Sequence, residues 1–373
     1  MKPLLTPDAL GPMDVAGRAG RLLDALDGAE VDALLVTSLT NIRYLTGFTG
    51  SAALLVVAAD GLTFLTDGRY GQQAAAQLGA AGVTAAVEVD NLNQRELLTA
   101  AVGRARVGRL GLEADAVTWA AQRTYAETWF PALELVPTTG LVGALRLVKD
   151  DGEIDRIAAA CTIADAALAE VRPRLVERPT EADFGLELDA AMRRLGADDV
   201  SFETIVASGP NGALPHHRPA SRTIVEGDLV VIDFGALVDG YHSDMTRTVM
   251  VGDATATQAL MYDVVEESQA AGVAAVASGV EAKAVDEACR RVIDAAGWGE
   301  AFLHGTGHGV GLDIHEDPRV AKTSAATLVD RCVVTVEPGV YLPEHGGVRI
   351  EDTVVVTPDG CRPITLTHKH AAV

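Results

Sequence analysis

In the second half of this 373-residue chain, metal-capable side chains interrupt apolar, strand-like sequence. Asp233 sits inside Val230-Val231-Ile232-Asp233-Phe234. A carboxylate in so apolar a run is at least partly buried and needs a cation, hydrogen bonds or a raised pKa. Asp244 follows Asp239-Gly240, a pair that lets the chain fold back as a hairpin. The turn would set Asp244 across from Asp233, and adjacent carboxylates repel unless a proton or metal joins them. His308 lies among alternating glycines in His304-Gly305-Thr306-Gly307-His308-Gly309-Val310-Gly311, with His315-Glu316-Asp317-Pro318-Arg319 just beyond. Such glycines permit unusual backbone angles and close approach of a ligand. Glu337 and Glu351 each stand at the polar edge of an apolar strand.

Singly, most of these have an ordinary reading: a strand-end aspartate bonded to a turn, or an exposed strand glutamate. Together they offer four carboxylates, one imidazole and no thiolate. That set suits Mn²⁺, Co²⁺ or a similar divalent ion, with Zn²⁺ an alternative, and not a structural zinc. Five ligands exceed the needs of one catalytic ion with open positions, whereas two ions about 3.5–4 Å apart would use them well. The glycine stretch has neither the GxxxxGK[ST] pattern nor a GxGxxG opening a helix, so it is no phosphate loop.

The elements that must position these residues fall into two halves. In the first, helices are expected over Asp14–Leu26, Gly68–Leu78, Asn93–Arg104 and Asp115–Trp129. Strand-like runs cover Val31–Val36, Ala52–Ala58 and Leu62–Leu65, the last two flanking an Ala59-Asp60-Gly61 turn. Alternation of this kind suggests an α/β domain. The character changes around Leu145–Glu153, where Asp151 could cap the next helix. Domains of 1–146 and 147–373 follow. The second half reads as helices at Glu153–Val171, Glu181–Leu195 (capped by Thr180), Ala254–Ser278 and Glu281–Ala296, with strands at Leu229–Phe234 and through the last 75 residues. This is an α+β arrangement of helices on an antiparallel sheet.

The order Asp233, Asp244, His308 in Gly-His-Gly, Glu337-Pro-Gly and Arg349-x-Glu351 resembles the pita-bread metallopeptidases, which include methionine aminopeptidase, aminopeptidase P and prolidase. Asn41-Ile42-Arg43-Tyr44-Leu45-Thr46-Gly47 and Thr66-Asp67-Gly68-Arg69-Tyr70 are similar to the creatinase-type N-terminal domain, so the resemblance spans nearly the whole chain. It implies that Asp244 and Glu351 bridge two metals, that Asp233 completes one shell, and that His308 and Glu337 complete the other. It gives Glu337 the proton of the attacking water, places His304 and His315 along the substrate site, and has His216 polarise the scissile bond. Arg349 would steady the carboxylate cluster, and Arg319 matches an arginine that could grip a dipeptide's carboxylate. The N-terminal domain and Leu214-Pro215-His216-His217 point to proline specificity and away from methionine aminopeptidase. Creatinase is disfavoured because it lacks the metal set. The resemblance leans to an Xaa-Pro dipeptidase, with an Xaa-Pro aminopeptidase acting on longer peptides as the alternative. It also suggests a homodimer. His217, His242 and Tyr241 receive no role.

Composition narrows the rest. With 30 basic and 52 acidic residues the formal charge is −22, which disfavours nucleic acid and anionic membranes as partners and leaves short proline-containing peptides. Four scattered cysteines form no CxxC, and no signal peptide or membrane-length apolar run is visible, so a cytoplasmic protein is expected. A catalytically inactive interaction module on this fold would have lost ligands, and none is missing. A dinucleotide-binding enzyme would need a glycine fingerprint that is absent.

Overall fold

The computed structural model describes residues 10–372. The described residues divide into two compact units, one of residues 13–146 and one of residues 147–372 together with residues 10–12. Leu10 packs on the second unit's core, and Arg156 Nη1 donates to the Gly11 carbonyl at 2.9 Å.

In the first unit six strands form one mixed sheet: β1 (Ala33–Val36), β2 (Ala53–Ala58), β3 (Gly61–Thr66), β4 (Ala86–Val89), β5 (Arg109–Glu113) and β6 (Glu134–Thr138), ordered β4-β3-β2-β1-β5-β6. Its helices are α1 (Arg18–Leu26), α2 (Leu39–Thr46), α3 (Gly71–Ala80), α4 (Gln94–Arg104), α5 (Trp119–Thr124) and α6 (Leu141–Leu147). The Asn41–Gly47 stretch is α2, capped by Ser38 and ended by Gly47 at φ 73°. Glu113 fastens it by accepting from the Thr37 and Ser38 amides and from Asn41 Nδ2 at 2.6 Å.

The second unit begins with α7 (Asp151–Val171), and its cap is Asp150, not Asp151. Asp150 Oδ1 accepts from the Glu153 amide while Glu153 Oε2 accepts from the Asp150 amide, both at 2.9 Å, which closes a capping box. Asp151 lies one residue too late for that geometry and pairs with Arg331 at the surface. Asp150→Ala should cost about 1 kcal/mol in urea unfolding, and Asp151→Ala less than about 0.5 kcal/mol. Equal losses would refute the assignment.

Helices α7 and α8 (Glu181–Leu195, capped by Thr180) cover a sheet of β8 (Ile205–Ser208), β9 (Leu229–Phe234) and β12 (Met245–Met250). The smaller strands β7 (Asp199–Val200), β10 (Ala236–Val238) and β11 (Tyr241–His242) continue the hairpin. Helices α9 (Ala256–Ala275) and α10 (Ala282–Ala295) cover a second sheet, ordered β14-β13-β15-β18-β19. Its strands are β13 (Gly307–Gly309), β14 (Glu316–Val320), β15 (Val333–Val336), β18 (Asp352–Thr357) and β19 (Gly360–Pro363), beside the hairpin β16 (Gly339–Leu342) and β17 (Gly346–Arg349). All strand pairings in this unit are antiparallel.

Strand alternation decides which side chains face the helices. Val230, Ile232 and Phe234 enter the α7–α8 core, as do Met245 and Val249. Val334, Val336, Val348 and Ile350 enter the α9–α10 core. The intervening residues Asp233, Asp244, Thr246, Thr335, Glu337, Arg349 and Glu351 must then turn to the opposite side of their sheets. Glu351 N donates to the Thr246 carbonyl at 3.1 Å and Thr248 Oγ1 to the Arg349 carbonyl at 2.9 Å, so the two sheets meet along this polar seam. No helix among the described residues is long and apolar enough to cross a membrane.

Candidate metal centre

A cavity of about 560 Å³ opens on the polar side of the sheets and is lined by all ten residues singled out above. Asp233, Asp244, His308, Glu337 and Glu351 form its floor with Arg349. His216, His304, His315 and Arg319 border it. The hairpin expected to set Asp244 opposite Asp233 runs two residues further, because Thr246 pairs with Asp233. Asp244 precedes β12 and shares a face with Thr246, so both carboxylates still point into one space.

Asp233, Glu351 and His308 are each held on one side and left open on the other. Arg349 Nη2 donates to Asp233 Oδ2 at 2.6 Å, while Asp233 Oδ1 is buried without a hydrogen-bond partner among the described residues. Thr246 Oγ1 donates to Glu351 Oε2 at 2.8 Å, and Glu351 Oε1 is likewise buried and unpartnered. His308 Nδ1 lies 3.0 Å from the Gly309 carbonyl. A carbonyl can only accept, so Nδ1 carries the proton and Nε2 presents a lone pair. That lone pair faces Asp244 Oδ2 and Glu337 Oε1, each 3.5 Å away. Ligand atoms of Asp244, His308 and Glu351 all lie within 4.8 Å of one another. Acceptors converging with no donor between them fit a cation, as the oxygen-rich set itself does.

Electrostatics agree with that reading. Burial pushes Asp244 well above the usual carboxylate range, and Glu351, Asp233 and Glu337 push further. Burial does the same to Glu351, reinforced by Glu337 and Asp233, and lifts Glu337 to about 8. It pulls His304 and His308 down to about 4. Without metal, the raised acids bind more protons folded than unfolded. Their stabilising effect is complete below the unfolded value, 4.5 for Glu337, and is lost as pH rises through about 8. The depressed histidines act oppositely, mainly between about 4 and 6.5, and their opposing effect fades as pH rises past the unfolded value of 6.5. Calorimetry of EDTA-treated protein should show the melting temperature falling by several degrees from about pH 6.5 to 8. Saturating Mn²⁺ should flatten that slope, because the ion replaces the protons. A melting temperature that rises over this window without metal would sink the account.

The glycines around His308 work differently from expectation. None of Gly305, Gly307, Gly309 and Gly311 has a positive φ. A Cβ on Gly307 would lie 2.0 Å from the Thr335 carbonyl oxygen, and one on Gly309 would lie 2.2 Å from that of Asp317. Gly307 and Gly309 let neighbouring backbones close on His308, while Gly305 and Gly307 also line the cavity.

The remaining residues separate by exposure. His216, His315 and Arg319 are exposed to the cavity. The His315 ring sits edge-on to His308 with centroids 4.3 Å apart. Arg319 makes no side-chain hydrogen bond or ion pair among the described residues. Glu316, by contrast, pairs with buried Lys149 at 2.9 Å. His217 bonds Glu181 at 3.0 Å, His242 bonds Ser201 at 2.9 Å, and Tyr241 donates to Glu153 at 2.9 Å, so these three brace the scaffold. Sequence reasoning missed Thr246 and Tyr341. Tyr341 accepts from Arg349 Nη1 at 2.7 Å and lies 2.8 Å from His304 Nε2. Extending the two-residue alternation from Asp244, and from Val340 in the core, would have pointed to both.

Residues 155–358 match metallopeptidase family M24, and residues 18–148 match the creatinase/prolidase N-terminal domain. The chain belongs to the M24 metallopeptidases, pita-bread enzymes that use divalent metal ions. An uncharacterized peptidase of Bacillus subtilis, YqhT, is 42% identical over 92% of this chain and 96% of its own length. The Xaa-Pro dipeptidase from Bacillus anthracis superposes with a TM-score of 0.91 at 37% identity, covering 96% of this chain and all of that one. An X-Pro aminopeptidase from Thermotoga maritima gives a TM-score of 0.85 at 32% identity, over 95% of this chain and 100% of the other.

Proposed function

We propose that this protein is an Xaa-Pro dipeptidase whose two divalent ions are held by Asp233, Asp244, His308, Glu337 and Glu351. One observation carries this reading: the unsatisfied acceptors of Asp233 and Glu351 share a cavity with Asp244, His308 and Glu337 and with the guanidinium of Arg319. Asp244 and Glu351 would contact both ions, Asp233 one, and His308 with Glu337 the other. When bound, the ions supply an acidified water and Lewis-acid polarisation of the scissile carbonyl. Glu337 would accept the water's proton and pass it to the leaving proline nitrogen. His216 and His315 line the same cavity and would donate to the carbonyl oxygen as charge develops on it. Arg319 binds the dipeptide's carboxylate as a two-pronged donor. Arg349 holds Asp233 in place, and Tyr341 holds His304.

The oxygen-dominated set favours Mn²⁺, with Co²⁺ or Zn²⁺ as alternatives. A cytoplasmic homodimer fits the four unpaired cysteines and the family resemblance. Similarity to an X-Pro aminopeptidase keeps longer peptides as the second reading. Metal-stripped protein refilled with Mn²⁺ or Co²⁺ should cleave Xaa-Pro dipeptides and leave Xaa-Pro-Xaa peptides largely intact. Preference for the tripeptides would establish the second reading instead.

A further inference from the structure

The segment from Phe302 to Thr306 belongs to no helix or strand, yet it carries His304 and leads directly into β13. Its backbone groups have no ladder to join, and buried ones must find partners elsewhere. Asp286 and Arg290 of α10 provide them. Asp286 is 1% exposed, and its Oδ1 accepts from Thr306 N at 3.1 Å and from Thr306 Oγ1 at 2.9 Å. Arg290 donates to the carbonyls of Phe302, at 3.3 Å, and His304. Its guanidinium also lies 4.1 Å above the centre of the Phe302 ring. The two side chains bind each other as well, Arg290 Nε donating to Asp286 Oδ2 at 2.6 Å. A spacing of four residues places an acceptor and a donor side by side on one helix face. That is what a loop offering both an amide and carbonyls requires.

From this loop two further bonds reach the centre of the cavity. His304 Nδ1 donates to the Gly305 carbonyl at 2.8 Å, which leaves Nε2 to accept from Tyr341. The Thr306 carbonyl accepts from the Glu337 amide at 2.7 Å. We propose that Asp286 and Arg290 are positioning residues for the peptidase reaction, fixing the loop that sets His304 and the backbone of Glu337. Neither lines the metal cavity. Both line a separate one of about 460 Å³, with Lys283, Glu287, Arg291, Asp294 and Lys322. Arg290 is therefore approachable from that second side, where a small cation can enter.

The inference rests on the peptidase reading, and the experiment separates the two. In Mn²⁺-loaded protein, Arg290→Ala should lower kcat on an Xaa-Pro dipeptide by about 10- to 100-fold, the range for residues that orient a metal site's own groups. KM should change by less than about threefold, because substrate contacts remain. Ethylguanidinium in solution should restore much of the lost kcat by filling the gap. Asp286→Asn keeps the side chain's shape and should show a similar kcat loss with a near-normal melting temperature. In wild-type protein the ¹⁵N–¹H spectrum of the His304 ring should show the Nδ1–H tautomer alone, and in Arg290→Ala a mixture. Full kcat in folded Arg290→Ala, or no recovery with ethylguanidinium, would overturn the proposal. If the wild-type protein leaves Xaa-Pro dipeptides uncut, the peptidase reading fails by itself. The His304 tautomer would then decide the positioning claim, a single unchanged form in the variant refuting it.

Discussion

Asp244→Asn should reduce kcat on an Xaa-Pro dipeptide by about a thousandfold or more while making the metal-free protein more stable. The loss follows from the proposed bridging place of Asp244: ion-based stabilisation of developing charge is worth several kcal/mol, and each ~1.36 kcal/mol is tenfold in rate. The gain follows from the residue's surroundings. Asp244 is 5% exposed, and burial and three neighbouring carboxylates all disfavour its charge. An isosteric amide removes that repulsion and still fits the space. Each unit by which the folded protein raises this pKa corresponds to about 1.4 kcal/mol, so the metal-free variant should melt above metal-free wild type by a measurable margin. Mn²⁺ should then stabilise wild type strongly and the variant weakly. Calorimetry with and without Mn²⁺, beside a peptide assay, tests both halves. Near-normal turnover, or equal stabilisation of both proteins by Mn²⁺, would remove Asp244 from the centre.

The second large effect concerns Arg319. Arg319→Met keeps most of the stem and deletes the donors. A hydrogen bond to a charged group contributes about 1.5–3 kcal/mol, so KM for an Xaa-Pro dipeptide should rise by roughly 10- to 150-fold with little change in kcat. Cleavage of Xaa-Pro-Xaa, whose carboxylate lies a residue further on, should change by less than about threefold. Loss of both substrates in parallel would mean that Arg319 supports the cavity and does not select the substrate's end.

Much of this site could be read from the chain because polar residues in strands are conspicuous. Asp233 interrupts Val230-Val231-Ile232, and its neighbours enter a core exactly where alternation sends them, so its opposite direction follows. Thr180, followed by Glu181 and an apolar face, was equally plain as a helix start. What stayed hidden depends on contacts between distant segments. Tyr341 looks like any strand tyrosine until Arg349 and His304 meet it. Asp286 and Arg290 look like an ordinary surface pair on a helix, because nothing local shows that Thr306 and His304 will pack against them. The glycines near His308 were visible, but not that Thr335 and Asp317 would occupy the space a Cβ needs. Asp151 is the cap expected from sequence; the three-residue spacing from Asp150 to Glu153 that closes the capping box was the overlooked signal.

The five proposed ligands are spread from residue 233 to residue 351, on or directly beside strands of two separate sheets. A nascent chain that has emerged only through α9 already owns the first helix pair and its sheet, but of the ligands it has just two mutually repelling acids. Ion capture must wait for β13, β15 and the Glu351 segment to leave the ribosome. If these five residues are the ligands, a product truncated before His308 would hold only two of them and could not assemble the centre.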